Sequence, residues 1–172
     1  MLRLLLVALS LLAAPSQSND YDEQIRKASG KYLPEWHWLW WKAQLQQESL
    51  LDPSARSPVG AAGIAQFMPG TCQEVFPQMG WACDPYDADK SIHAGAFYMK
   101  RLRRVFRAPR PESDRRKWAQ ASYNRGVGNI LKDQKRCGNA MRWEDTVPCV
   151  PKEETINYII QIERRYDVFK DN

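Results

Sequence analysis

Pro34-Glu35-Trp36-His37-Trp38-Leu39-Trp40-Trp41-Lys42-Ala43-Gln44-Leu45-Gln46-Gln47-Glu48-Ser49-Leu50-Leu51-Asp52-Pro53 admits two readings, and the choice between them sets the fold class. Trp36, Trp38 and Trp40 alternate as a strand would. Trp41 to Leu51 fits only a helix, because at about 100° per residue Trp38, Trp41 and Leu45 cluster on one side. The spacing therefore predicts a helix over Pro34 to Leu51, with Pro34 in its first turn. Asp52-Pro53 closes it, since the residue before a proline is pushed out of the α region. Tryptophans on nearly every side predict a central, buried helix. Glu48 falls beside the apolar stripe, one turn below Leu45. A carboxylate against an apolar wall has its pKa raised by desolvation, as a general acid near neutral pH requires. An edge glutamate that bends out to water fits the same position.

Downstream, Pro53 to Gly63 is a Pro/Gly/Ser loop that brings backbone close to whatever Glu48 faces. Met68-Pro69-Gly70 is a turn, and Thr71 to Glu74 has the spacing of a capping box that starts a helix. Trp81 to Asp89 reads as loop, and Lys90 to Phe106 as a helix with Ile92, Gly95, Met99 and Leu102 on one face. Its other face carries the basic run Lys100 to Arg104, a solvated surface. Ser113 or Asp114 can cap a helix from Arg115 to Tyr123, ended by Asn124 to Gly128. Asn129 to Lys135 is a further short helix, residues 136 to 151 an irregular connection, and Glu153 to Phe169 an amphipathic helix. Upstream, Tyr21, Ile25 and Ala28 have helical spacing until Gly30 interrupts. Strand signal is almost lacking, so the class is all-α, or α with a minimal β element.

The 172 residues, 44% of them hydrophobic, make one domain's worth of chain with a real core. Arg3, the apolar run Leu4 to Ala14 and the small or polar residues Pro15 to Ser18 read as a secretory signal peptide over 1–18, with residues 19–172 as the folded domain. The apolar run is short of the roughly 20 residues that span a bilayer, so an uncleaved weak anchor is the second reading. Four cysteines in an exported chain read as disulfides, and the local pairs Cys72–Cys83 and Cys137–Cys149 are the expected pairing. A metal site is disfavoured: no CxxC occurs, and His37 and His93 lie far from the paired cysteines. The net charge of +5 suits an anionic partner. Nucleic acid is disfavoured by the leader and by the scatter of the basic residues.

From Glu48 onward the chain resembles a known family. Glu48-Ser49, Pro53, Ala55, Ser57 to Ala61 and Gly63 to Thr71 look like the first motif of the soluble lytic transglycosylase catalytic domain, the goose-type lysozyme-like group. Ile92 to Leu102, Ala121-Ser122-Tyr123-Asn124-Arg125-Gly126 and Pro151 to Tyr158 resemble its three later motifs, in the same order. Ser91, Ile64-Ala65 and Arg125 depart from the usual residues, and Arg125 bears on the cleft floor or substrate preference.

The resemblance implies a lysozyme-like single domain with a substrate cleft. It also implies cleavage of the β-1,4 bond between N-acetylmuramic acid and N-acetylglucosamine of peptidoglycan, closing a 1,6-anhydro end without a cofactor. Glu48 would be the single acid and then base, so no second carboxylate across the cleft is needed. Asp84, Asp87 and Asp89 match no catalytic position of the family. Ser57 matches a serine near the acid, although a turn hydroxyl before Pro58 reads equally well. Gln66 and Met68 match cleft-wall positions, and Tyr123 a tyrosine whose hydroxyl approaches the acid. Asn124 serves either as a helix terminator or as a sugar donor. Glu154 matches a glutamate that lies buried near the cleft, a supporting position, and also fits a first-turn residue favoured by the helix dipole.

The expected protein is an exported monomer on the periplasmic or wall side, acting on glycan strands. It would serve in wall remodelling, as an accessory of an envelope secretion or conjugation machine, or in lysis. A hydrolytic muramidase and a non-catalytic wall-binding assembly factor are the competing readings.

Overall fold

The computed structural model describes residues 20–151 and 153–172. The leader expected at 1–18 lies outside them. Eight helices lie in the described residues: α1 (Asp22–Tyr32), α2 (Leu39–Ser49), α3 (Pro69–Val75), α4 (Ala88–Val105), α5 (Glu112–Arg125), α6 (Val127–Arg136), α7 (Trp143–Thr146) and α8 (Glu153–Asp171). Short 3-10 turns follow α3 and α7. Among the described residues β pairing is limited to the antiparallel bridges of Ala62 with Arg56 and with Phe67. The fold is all-α with that minimal β element.

Two cores share two helices, α2 and α5. Trp41 and Leu45 of α2 enter the first core, with Ile25, Ile64, Phe67, Phe76, Ile92 and Met99. Ala43 of the same helix enters the second, with Trp118, Ile130, Trp143, Ile159 and Ile162. A helix buried on both sides needs apolar residues all round, as its tryptophans supply. Gly95 lets α4 approach it, since a Cβ there would stand 2.6 Å from the Trp41 ring. On the other side α8 runs against α2, and Tyr166 stacks on Trp40 at 3.7 Å, with the Arg116 guanidinium 3.2 Å over that indole.

Several local expectations are corrected. α2 starts at Leu39 because Trp36 is held in the preceding turn, where its indole N–H donates to Glu112 Oε1 at 2.9 Å. It ends at Ser49, because Leu50 (φ 58) and Leu51 (φ 63) both turn left-handed. That conformation costs an ordinary residue about 1–2 kcal/mol. It leaves Leu50 67% exposed and drives Leu51 into the core at 6%. Gly30 does not break α1, where it sits in open space near the end of the helix. α3 starts at Pro69, not at a Thr71 cap, and the Asp87 carboxylate caps α4 through the Lys90 N–H at 3.0 Å. Asp114 caps nothing, because it is buried and accepts from the Trp143 N–H at 3.1 Å.

The cysteines pair as Cys72–Cys83 and Cys137–Cys149, with Cα atoms 5.5 and 5.8 Å apart. The first ties α3 to the loop before α4, and the second ties the end of α6 to the turn before α8.

Candidate active site

Glu48 occupies the last turn of α2, on the side that meets α8. The Tyr158 hydroxyl, from the second turn of α8, donates a hydrogen bond to Glu48 Oε1. One flank of Glu48 opens to a cleft, while protein crowds its carboxyl. Burial pushes that carboxyl up to about 7, and the Tyr158 bond, which favours the charged form, only partly opposes it. Burial, and next to it the Glu48 charge, hold the Tyr158 and Tyr123 phenols well above their usual value, so both remain O–H donors.

The loop over the acid is fixed from both sides. Ser49 Oγ donates to the Ile64 carbonyl at 2.8 Å, and the Tyr123 hydroxyl donates to the Ala65 carbonyl at 2.7 Å. The loop is also knitted to itself. Ser57 Oγ accepts from the Ala61 N–H at 2.9 Å. Gln66, in a left-handed conformation, donates its amide to the carbonyls of Gly63 (2.9 Å) and Ala55 (3.2 Å). Gly63 lies against the Pro85 carbonyl, 1.7 Å from where a Cβ would be. Met68, just before α3, is 44% exposed.

Glu48 and Tyr158 share a hollow of about 430 Å3 with Gln47, Asn124, Glu154, Asn157 and Gln161. Asn124 is exposed there, and its Oδ1 accepts from the Thr155 hydroxyl at 2.8 Å. Glu154 also lines the hollow but is exposed, not buried; it begins α8, where the helix dipole favours an acid. Ser57, Gln66 and Met68 do not line that hollow, and the polar atoms of Ser57 and Gln66 serve the loop's own geometry. Arg125 does not build a cleft floor, because it turns to the buried Asp133 and donates its Nε to Oδ2 at 3.0 Å.

A larger hollow, about 750 Å3, lies among Asp22, Arg26, His37, Trp38 and Lys42. Its buried Lys42 is ion-paired to Asp22 at 2.6 Å, and Glu48 does not line it. Size therefore ranks below chemistry, and the smaller hollow is the stronger site. Asp84 and Asp87 are used locally, accepting from the backbone N–H of Tyr86 and Lys90.

Tyr158, Ser49 and Thr155 are contacts that sequence reasoning does not assign. For Tyr158 a signal exists: it stands one helical turn after Glu154 in the fourth motif, on the same face.

A family model described as the transglycosylase SLT domain matches residues 24–146. Two curated relatives carry the name membrane-bound lytic murein transglycosylase F. The one from Shewanella frigidimarina is 31% identical over 166 residues, covering 83% of this chain and 34% of the relative. That from Alcanivorax borkumensis is 30% identical over 169 residues, covering 86% and 35%. The chain thus spans about a third of the length of these relatives. Among solved structures, lytic transglycosylase Slt of Pseudomonas aeruginosa superposes with a TM-score of 0.73 at 23% identity, over 89% of this chain and 24% of that one. The 70 kDa soluble lytic transglycosylase of Escherichia coli also gives 0.73 at 23%, over 89% and 25%. At that identity the likeness is one of fold.

Proposed function

The chain belongs to the transglycosylase SLT domain family, and from that premise we propose that it cleaves the β-1,4 bond between N-acetylmuramic acid and N-acetylglucosamine of peptidoglycan, with Glu48 as the only proton-transfer group. The observation that carries this reading is the Glu48 carboxyl, pushed up to about 7 by burial and open on one flank to a cleft. The named relatives support the substrate class.

Near neutral pH a large share of Glu48 is protonated. It gives its proton to the glycosidic oxygen as the bond to the muramic C1 breaks. The resulting carboxylate then takes the proton of the muramic C6 hydroxyl as that oxygen bonds to C1 and closes the 1,6-anhydro ring. The proton lost in the first step is regained in the second, so the enzyme is restored and no water enters. The Tyr158 hydroxyl stabilises the carboxylate between the two steps. Ser49 and Tyr123 hold the Ile64–Ala65 backbone over the acid.

Glu154 is the specific observation behind a second reading, because its carboxylate opens on the same hollow. Paired carboxylates support hydrolysis. Product ends separate the two: mass spectrometry of a peptidoglycan digest is expected to find 1,6-anhydro ends, and reducing ends would support hydrolysis. Glu48→Gln is expected to lower the rate by a factor of about 10²–10⁴. A variant that still cuts at the wild-type rate would remove Glu48 from the mechanism, and an inactive wild type would favour a wall-binding role.

The leader read at 1–18 supports action on the wall side of the membrane. Among the described residues no helix is long and apolar enough to cross a membrane.

A further inference from the structure

Gln44 is a buried amide in the middle of α2, one helical turn before Glu48 and 1% exposed. It is poorly satisfied where it lies. Its Nε2 donates to the Met99 sulfur at 3.5 Å, a weak acceptor, and its Oε1 is buried with no hydrogen-bond partner. Lys42, the other buried polar residue of α2, is by contrast ion-paired to Asp22 at 2.6 Å. An apolar side chain of the size of Gln44 would fill the same space without the penalty of an unpaired acceptor.

The amide also bonds the Tyr158 hydroxyl, and this bond works against the burial that keeps the phenol neutral. A bond that favours the phenolate is one donated to the phenol oxygen, so it comes from the Gln44 nitrogen, which has a second proton to give. Tyr158 in turn has a single hydroxyl proton, which goes to Glu48 Oε1. A phenol oxygen with no donor of its own is free to accept instead, and could draw the carboxyl proton onto that same Oε1. A donor at the phenol oxygen disfavours the reversal, and hydrogen bonds in series strengthen one another.

We propose that Gln44 is a positioning residue that sets the direction of the chain Gln44 to Tyr158 to Glu48. The transferable proton then stays on Glu48 Oε2, and the carboxylate left by the first step meets a stronger donor. This rests on reading Glu48 as the proton-transfer group of glycan cleavage. Gln44 does not line the hollow of Glu48, so it acts only through Tyr158. Tyr123 of α5 is the other titratable group that Tyr158 senses, and Glu154 lines the hollow. Among the described residues no lysine, arginine or histidine lines it. Hydrogen bonding therefore has to do what an opposite charge would otherwise do for the carboxylate. A half-satisfied amide in the core is a loss of stability accepted for that direction.

The test places Gln44→Met and Gln44→Leu, which keep the bulk and remove the amide, in the wild type and in Tyr158→Phe. In the wild-type background kcat is expected to fall about threefold to tenfold with KM unchanged. The falling limb of the pH–rate profile is expected to move up by about 0.2–0.5 pH unit, while the urea midpoint stays level or rises. In the Tyr158→Phe background the same substitutions are expected to change neither kcat nor the limb. Stability and activity lost together, or an equal loss of kcat in both backgrounds, would make Gln44 a packing residue and overturn the proposal. Carbon-13 NMR titration of the Glu48 carboxyl reads the chain without turnover. Its pKa is expected to rise in both Gln44 variants and to ignore them once Tyr158 is Phe; a carboxyl unmoved in the wild-type background overturns the proposal. Absence of any Glu48-dependent cleavage would overturn the glycan-cutting reading instead, while the titration still decides whether Gln44 governs the pair.

Discussion

The Tyr158 hydroxyl reaches Glu48 Oε1 across 110 residues of chain, so the acid at the end of α2 is held by the second turn of α8. This contact opposes the larger effect of burial. The balance that leaves the Glu48 carboxyl at about 7 is therefore set by two elements, not by α2 alone.

The first prediction concerns that balance. Glu48 must be protonated to act as acid, so kcat/KM is expected to be level below about pH 7 and to fall tenfold per pH unit above it. The Tyr158 bond favours the carboxylate. Tyr158→Phe is thus expected to raise the Glu48 pKa and move the falling limb up by as much as about one pH unit. The maximal rate should drop at the same time, because the carboxylate between the two proton transfers loses its donor. A pH–rate profile of both proteins checks this, and an unmoved limb would show that the pair is not coupled.

The same carboxyl makes stability depend on pH. Its folded pKa, about 7, lies above the ordinary value of 4.5. Below about pH 4 the group is neutral folded and unfolded, and contributes no penalty. As pH rises from there toward 7 the unfolded chain ionises freely while the folded protein resists ionising a crowded carboxyl. Stability is lost over that window, by up to about 3 kcal/mol before any relief from the open flank. Glu48→Gln removes the titration. Denaturant unfolding is expected to show Glu48→Gln more stable than wild type at pH 8, with the gap closing toward pH 4. A gap of constant size would mean that the carboxyl does not titrate in this window.

α2 and its acid are legible in the sequence because both follow from local periodicity: Trp41, Leu45 and Glu48 share one side at about 100° per residue. The four cysteines are also legible, since close spacing favours local pairs. What escapes depends on distant contacts. Periodicity carries α2 on to Leu51, but the left-handed Leu50 and Leu51 end it early and bury Leu51 in a core built from other helices. Asp114 has the look of a cap, yet a backbone N–H 29 residues away takes it. Glu154, expected to be buried, stands exposed at the head of α8, and Tyr158, of the same motif, is the residue that reaches the acid. Arg125 reads as a change to the cleft floor until Asp133, in the next helix, is seen to hold it. Periodicity ranks faces of a helix; it does not say which face meets which partner.

The last prediction separates two glycines by their surroundings. Gly63 has φ +75, and a Cβ on it would stand 1.7 Å from the Pro85 carbonyl oxygen. The obstacle is backbone, held near Cys83 and its disulfide, so it does not swing aside as a flexible side chain would. Gly63→Ala must therefore push the loop off the 83–86 segment or bend that segment away. Adding the left-handed penalty for an ordinary residue, the loss of stability is expected to exceed about 2 kcal/mol. The loop that moves carries the Ile64 and Ala65 carbonyls, which Ser49 and Tyr123 grip on either side of Glu48, so cleavage should fall along with stability. Gly128 lies in α6, and a methyl group added to its Cα would meet nothing within 4 Å. Gly128→Ala is expected to stabilise by about 0.5–1 kcal/mol with activity retained. Thermal unfolding and a wall-digestion assay on the two variants distinguish them; a Gly63→Ala protein with wild-type stability and activity would mean that the loop does not need its close approach to Pro85.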